Sequence, residues 1–101
     1  MSGHANNPPA PDRITRAYLL AKVAALEAAV NSFCDKWGNA PSSTWEHTRD
    51  SAQYLKAIIS VVHDDDHVTL AGVNKTLDEG FGHLQYLEDY WAENVAGQSQ
   101  N

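Results

Sequence analysis

The residues best suited to chemistry lie in the run His63-Asp64-Asp65-Asp66-His67. Two imidazoles and three carboxylates are hard-to-borderline metal ligands. His63 and His67 share a helix face only if the helix runs through them, and three aspartates signal a turn instead. No His-Glu-x-x-His pattern, EF-hand glycine or third histidine accompanies them. The run reads better as capping, with His63 at one helix C-terminus and an aspartate at the next N-terminus. There each charge meets the end of the helix dipole that favours it. No metal is expected. His47, beside Glu46 and near Asp50, has the chemistry of a general base, but no nucleophile accompanies it. Gly80-x-Gly82 alone does not make a phosphate-binding loop. Cys34 reads as a small buried hydrophobe, and the neighbouring Asp35 works against thiolate formation. No catalytic residue and no cofactor emerges, so the chain is not expected to be an enzyme.

Charge narrows the classes further. The formal net charge is −6, and it is unevenly spread. Residues 1–63 hold six Lys/Arg and five Asp/Glu; residues 64–101 hold one Lys and eight Asp/Glu. Direct nucleic-acid binding needs a basic patch that the chain lacks, whereas an acidic half suits a protein partner. The single cysteine excludes an intrachain disulfide and fits a reducing cytoplasm. No basic region followed by an apolar run marks a signal peptide.

Whatever the chain binds must be positioned by helices. Residues 17–30 read Ala-Tyr-Leu-Leu-Ala-Lys-Val-Ala-Ala-Leu-Glu-Ala-Ala-Val, strong helix formers and apolar at all but Lys22 and Glu27. The stretch is too short and too charged for a membrane span. A first helix is expected from Asp12, as N-cap, to Trp37. Its stripe is Leu19, Val23, Leu26, Val30, Phe33 and Trp37, spaced as a heptad. A second helix is expected from Ser43 to His63, opened by a Ser43/Glu46 capping box and striped by Trp45, Thr48, Ala52, Leu55, Ile59 and Val62. A third is expected from His67 or Thr69 to Ala96, striped by Leu70, Val73, Leu77, Leu84, Leu87 and Trp91. Gly80 takes the missing heptad place, and Gly80-Phe81-Gly82 predicts a kink. These elements make one all-α domain over 12–97, a three-helix up-down bundle. A proline-rich flexible arm precedes it at 1–11 and a frayed end follows at 98–101.

Three stripes remain outside that core. The first helix is apolar all round, with small residues Ala17, Ala21, Ala24, Ala25 and Ala28 on a second face. A helix of that kind must be covered on every side, which predicts self-association through it, with C2 symmetry the default. Lys22 and Glu27 then stand at g and e positions able to bridge the two chains. Tyr54, Ile58 and Val61 on the second helix are assigned to the same self-association. His83, Tyr86 and Tyr90 on the third, with Glu88, Asp89 and Glu93 nearby, are assigned to a foreign partner, since Tyr buries area while keeping a polar tip.

The helix-rich segments Tyr18-Leu19-Leu20-Ala21-Lys22-Val23-Ala24-Ala25-Leu26 and Leu84-Gln85-Tyr86-Leu87-Glu88-Asp89-Tyr90-Trp91, with the chain's size and acidity, resemble bacterial quorum-sensing anti-activators. That resemblance implies a cytoplasmic homodimer that binds a transcription regulator and blocks its dimerisation or DNA binding. It carries over no individual residue role. The competing expectation is a phage-type, anti-CRISPR-like inhibitor whose acidic third helix mimics nucleic acid.

Overall fold

The computed structural model describes residues 11–38 and 40–95. Among these residues there are helices and no strand: α1 (Arg16–Lys36), α2 (Ser42–Val61) and α3 (His67–Tyr90), with α3 continuing into a π-helical turn, Trp91–Val95. The fold is therefore all-α. Apart from Pro11, which is exposed, the arm expected at 1–11 lies outside the described residues, as do the helix end expected at Ala96–Gly97 and the frayed end at 98–101.

Each helix starts where a donor-rich end finds an acceptor. α1 begins three residues later than an Asp12 cap would place it. Thr15 is the cap, its backbone extended and its hydroxyl accepting from the Tyr18 amide at 3.1 Å. Ile14, just before the cap, packs against the core, which fixes the chain's approach to the helix. The Ser43/Glu46 capping box does not form, because α2 starts one residue earlier and puts Ser43 inside the first turn. Pro41 precedes the helix with no side-chain cap, and its carbonyl accepts from the Thr44 hydroxyl at 2.7 Å. Asp66 caps α3, accepting from the Thr69 amide at 3.1 Å. That bond and the Thr69 hydroxyl hold its carboxyl below the ordinary aspartate range.

The heptad stripes form the core. Leu19, Val23, Leu26, Val30 and Phe33 of α1, Ala52, Leu55 and Ile59 of α2, and Leu70, Val73, Leu77, Leu84 and Leu87 of α3 are all buried, with Thr48 beside them. Trp37, Trp45, Val62 and Trp91 close the ends, half-buried. By length and composition alone α1 is apolar enough to cross a membrane, and this buried stripe is what its apolarity builds within the chain. α3 runs as one helix through Gly80-Phe81-Gly82, the stretch expected to kink. Gly80 has a packing reason: a Cβ there would stand 2.9 Å from Leu26 Cδ2. The glycine lets a leucine of α1 fill the place that α3 leaves empty.

Polar ties join the helix ends. Arg16, at the start of α1, donates from Nε to the Ile59 carbonyl at 2.9 Å, satisfying one of the last free acceptors of α2. Its own amide donates to Asp64 Oδ1 at 2.7 Å. At the other end Trp37 Nε1 donates to Glu88 at 3.3 Å, Lys36 pairs with Glu88 at 2.8 Å, and Trp37 packs on Trp91 at a centroid distance of 6.5 Å. Lys22 corrects the expectation of an interchain bridge. Its ammonium is buried, pairs with Asp78 at 2.5 Å, donates to Asn74 Oδ1 at 2.7 Å and lies over the Tyr18 ring. Lys22 thus ties α1 to α3 within one chain, because its position faces inward between Leu19 and Leu26.

Candidate functional site

Six large hydrophobic side chains are exposed among the described residues: Leu20, Tyr54, Val61, Val68, Tyr86 and Tyr90. All but Leu20 belong to α2 and α3, and helical spacing puts them on one side of the molecule. Tyr54, Ile58 and Val61 repeat at the i, i+4, i+7 interval along α2. On α3, Val68, Gly72, Thr76, Gly80, His83, Tyr86 and Tyr90 follow the same interval. The two rows face each other across a groove. Near the α2 C-terminus it opens into a depression of about 440 Å³, lined by Tyr54, Ile58, Thr69, Gly72 and Thr76. A smaller one of about 180 Å³ lies mid-way, bordered by His47, Ser51, Glu79, Gly80 and His83, with Leu26 of α1 at its floor. A third, about 360 Å³, sits against Pro41, Thr44, Tyr86, Tyr90 and Trp91.

The groove exists because the facing residues are small. Ser51, Gly72 and Thr76 leave space that larger side chains would fill, and a Cβ on Gly72 would meet nothing within 4 Å, whereas the place beside Gly80 is taken by Leu26 of α1. His83 bridges the seam at one point, its Nε2 lying 3.2 Å from the Thr44 carbonyl oxygen. Tyr86 stacks on Tyr90 at 6.5 Å, and Tyr90 meets Trp91 edge-on at 6.2 Å. That ladder continues into the Trp37–Trp91 pair, so the aromatic rim is anchored to the core. The acidic groups along the rim are Glu79 in the lining, Glu93 one turn after Tyr90 and Asp50 one turn before Tyr54, the last paired with Arg49 at 3.6 Å; Lys75 stands against them on α3.

The sequence had split this face in two. Tyr54, Ile58 and Val61 went to self-association and His83, Tyr86 and Tyr90 to a partner; the structure brings both rows to one groove. Glu88 does not stand with the partner residues, since it faces α1 and binds Lys36 and Trp37. Asp89 and Glu93 are exposed. Ala17, Ala21, Ala24 and Ala28 are exposed on the outer side of α1 together with Leu20, opposite its buried stripe, whereas Ala25 is half-buried. Sequence reasoning missed Ser51, Val68, Gly72 and Thr76. The signal was there on α3, where Gly72, Thr76 and Gly80 repeat every four residues.

The remaining candidates resolve into structural roles. Asp64 and Asp66 receive the N-termini of α1 and α3. His63 and His67 are exposed, and among the described residues no group of three His, Cys, Asp or Glu could hold a metal ion. His47 is exposed at the groove edge. Cys34 packs half-buried against the core, and burial first, then Asp35, pushes its thiol pKa up. Compared with protein-family models, curated proteins and solved structures, the chain matches none.

Proposed function

We propose that the chain is a small protein-binding inhibitor, an anti-activator that engages a transcription regulator through the α2/α3 face and blocks its dimerisation or DNA binding. One observation carries this reading: among the described residues, five of the six exposed large hydrophobics gather on that face, and an apolar concentration of this kind marks a binding surface. The resemblance of the α1 and α3 segments to quorum-sensing anti-activators supplies the class of partner. The chain acts without catalysis, metal or cofactor, in the cytoplasm. The contacts of Arg16 with the end of α2, of Thr44 with His83 and of Trp37 with Trp91 support an up-down course for the three helices. Self-association, as a homodimer, uses the outer stripe of α1, where Leu20 sits among alanines.

The nucleic-acid-mimic reading has less behind it. Mimicry needs acidic groups in a free row, but Asp78 pairs with Lys22 and Glu88 with Lys36. Two experiments test the proposal. A quorum-sensing regulator bound to its operator is titrated with the chain in a gel-shift assay. Loss of the shifted band supports the reading, and an unchanged band at large excess overturns it. Sedimentation equilibrium at micromolar concentration should give twice the 11.1 kDa chain mass, falling to one chain on Ala24→Glu; a monomeric parent protein removes the dimer from the proposal.

A further inference from the structure

We propose that the α2/α3 groove is a receptor for one basic amphipathic α-helix whose apolar side chains at i, i+7 and i+14 enter the three depressions. The inference rests on the reading that this face binds protein. The spacing comes from the groove itself. Ile58, Ser51 and Thr44 line successive depressions on α2, and Gly72, Glu79 and Tyr86 do so on α3, each seven residues from the next. At a rise of about 1.5 Å per residue, seven residues span about 10 Å, so a helix lying along the groove repeats at the same interval. Small residues at Ser51, Gly72 and Thr76 let a helix backbone come close, and Tyr54, Tyr86 and Tyr90 wall it in, as in helix-in-groove recognition.

Charge selects the occupant. Glu79 and Glu93 flank the groove with Asp50, which pairs with Arg49 at 3.6 Å, against Lys75, in a chain of net charge −6. A second copy laid face to face would set these carboxylates against their own copies, which opposes binding. It also has no exposed helix face with three large apolar groups at heptad spacing: α1 offers Leu20 among alanines, and the exposed groups of α2 and α3 are the groove's own walls. A foreign helix carrying Lys and Arg beside its apolar stripe meets complementary charge.

The test uses the full chain, isotopically labelled, and a synthetic helical peptide of about twenty residues, long enough to span the groove. The peptide has leucines at heptad spacing and Lys/Arg on its flanks; a control replaces Lys/Arg by Glu. The basic peptide should shift the amide resonances of Ser51, Gly72, Thr76, Gly80 and Tyr86 and leave Ala17 and Ala24 unmoved. The acidic control should bind roughly tenfold more weakly or worse. Gly72→Leu, which projects into open groove, should keep the helical circular dichroism and lose the peptide. Equal binding of both peptides, shifts centred on the outer side of α1, or the same shifts on concentrating the chain alone would overturn the inference, the last by placing a second copy in the groove. The two readings fail separately. Regulator inhibition that survives Gly72→Leu removes the groove and keeps the anti-activator; peptide binding without any effect on the regulator does the reverse.

Discussion

Removing Asp78 should destabilise the fold more than removing Lys22, although the two form one ion pair. The reason is unequal burial. The Lys22 side chain is 2% exposed and the Asp78 side chain 49%. Asp78→Ala leaves an ammonium buried with Asn74 Oδ1 and the Tyr18 ring as its remaining partners. Stranding one member of a fully buried pair costs about 3–5 kcal/mol. Asn74 and the ring offset part of that here, so about 1–3 kcal/mol is expected. Lys22→Met instead keeps the buried stem, removes the charge and leaves a carboxylate that water already reaches. That change should cost less than about 1 kcal/mol. Urea denaturation followed by far-UV circular dichroism measures both variants against the parent. In thermal melts each 1 kcal/mol corresponds to roughly 4–8 °C for a domain of this size. Lys22→Met costing as much as Asp78→Ala would refute the argument from unequal burial.

The glycines of α3 should separate by what lies above them. Gly72→Ala meets open space and should stabilise by about 0.5–1 kcal/mol through helix propensity, whereas Gly80→Ala drives a methyl into Leu26 and should fall at least about 1 kcal/mol below it in the same denaturation experiment. The Asp66 carboxyl is held below its ordinary value, so its contribution is complete above the unfolded aspartate pKa of about 3.9 and is lost as pH falls through the lower folded value. Asp66→Asn should therefore flatten the acid limb of the stability profile while changing the neutral region less, and an unchanged acid limb would count against the cap. Cys34, with its thiol pKa raised, should react with iodoacetamide at pH 8 more slowly than an unfolded control peptide; equal rates would show that burial does not protect it.

The sequence determined the helices and the core, because both depend on local spacing. Apolar residues at heptad intervals bury one stripe whatever the neighbouring helix is, and most stripe positions of α1, α2 and α3 are buried, joined on α1 by Ala29 and Lys22. Termini were less legible. Asp12 and Ser43 have the chemistry of caps, yet Thr15 and the Pro41 turn set the starts, since a cap forms where the chain enters the core and not merely where a suitable side chain stands. Lys22 was misread for a related reason: a charge at the edge of an apolar stripe looks exposed until a partner is seen, and Asp78 lies 56 residues away on another helix. The same holds for Glu88, drawn inward by Lys36 and Trp37. The groove is wholly a tertiary fact. Each helix declares its own leftover stripe, but only packing decides that the stripes of α2 and α3 share one side while the alanines of α1 face the other. Gly80 shows both halves at once, a gap in the heptad visible in the sequence and explained only by the leucine that α1 places in it.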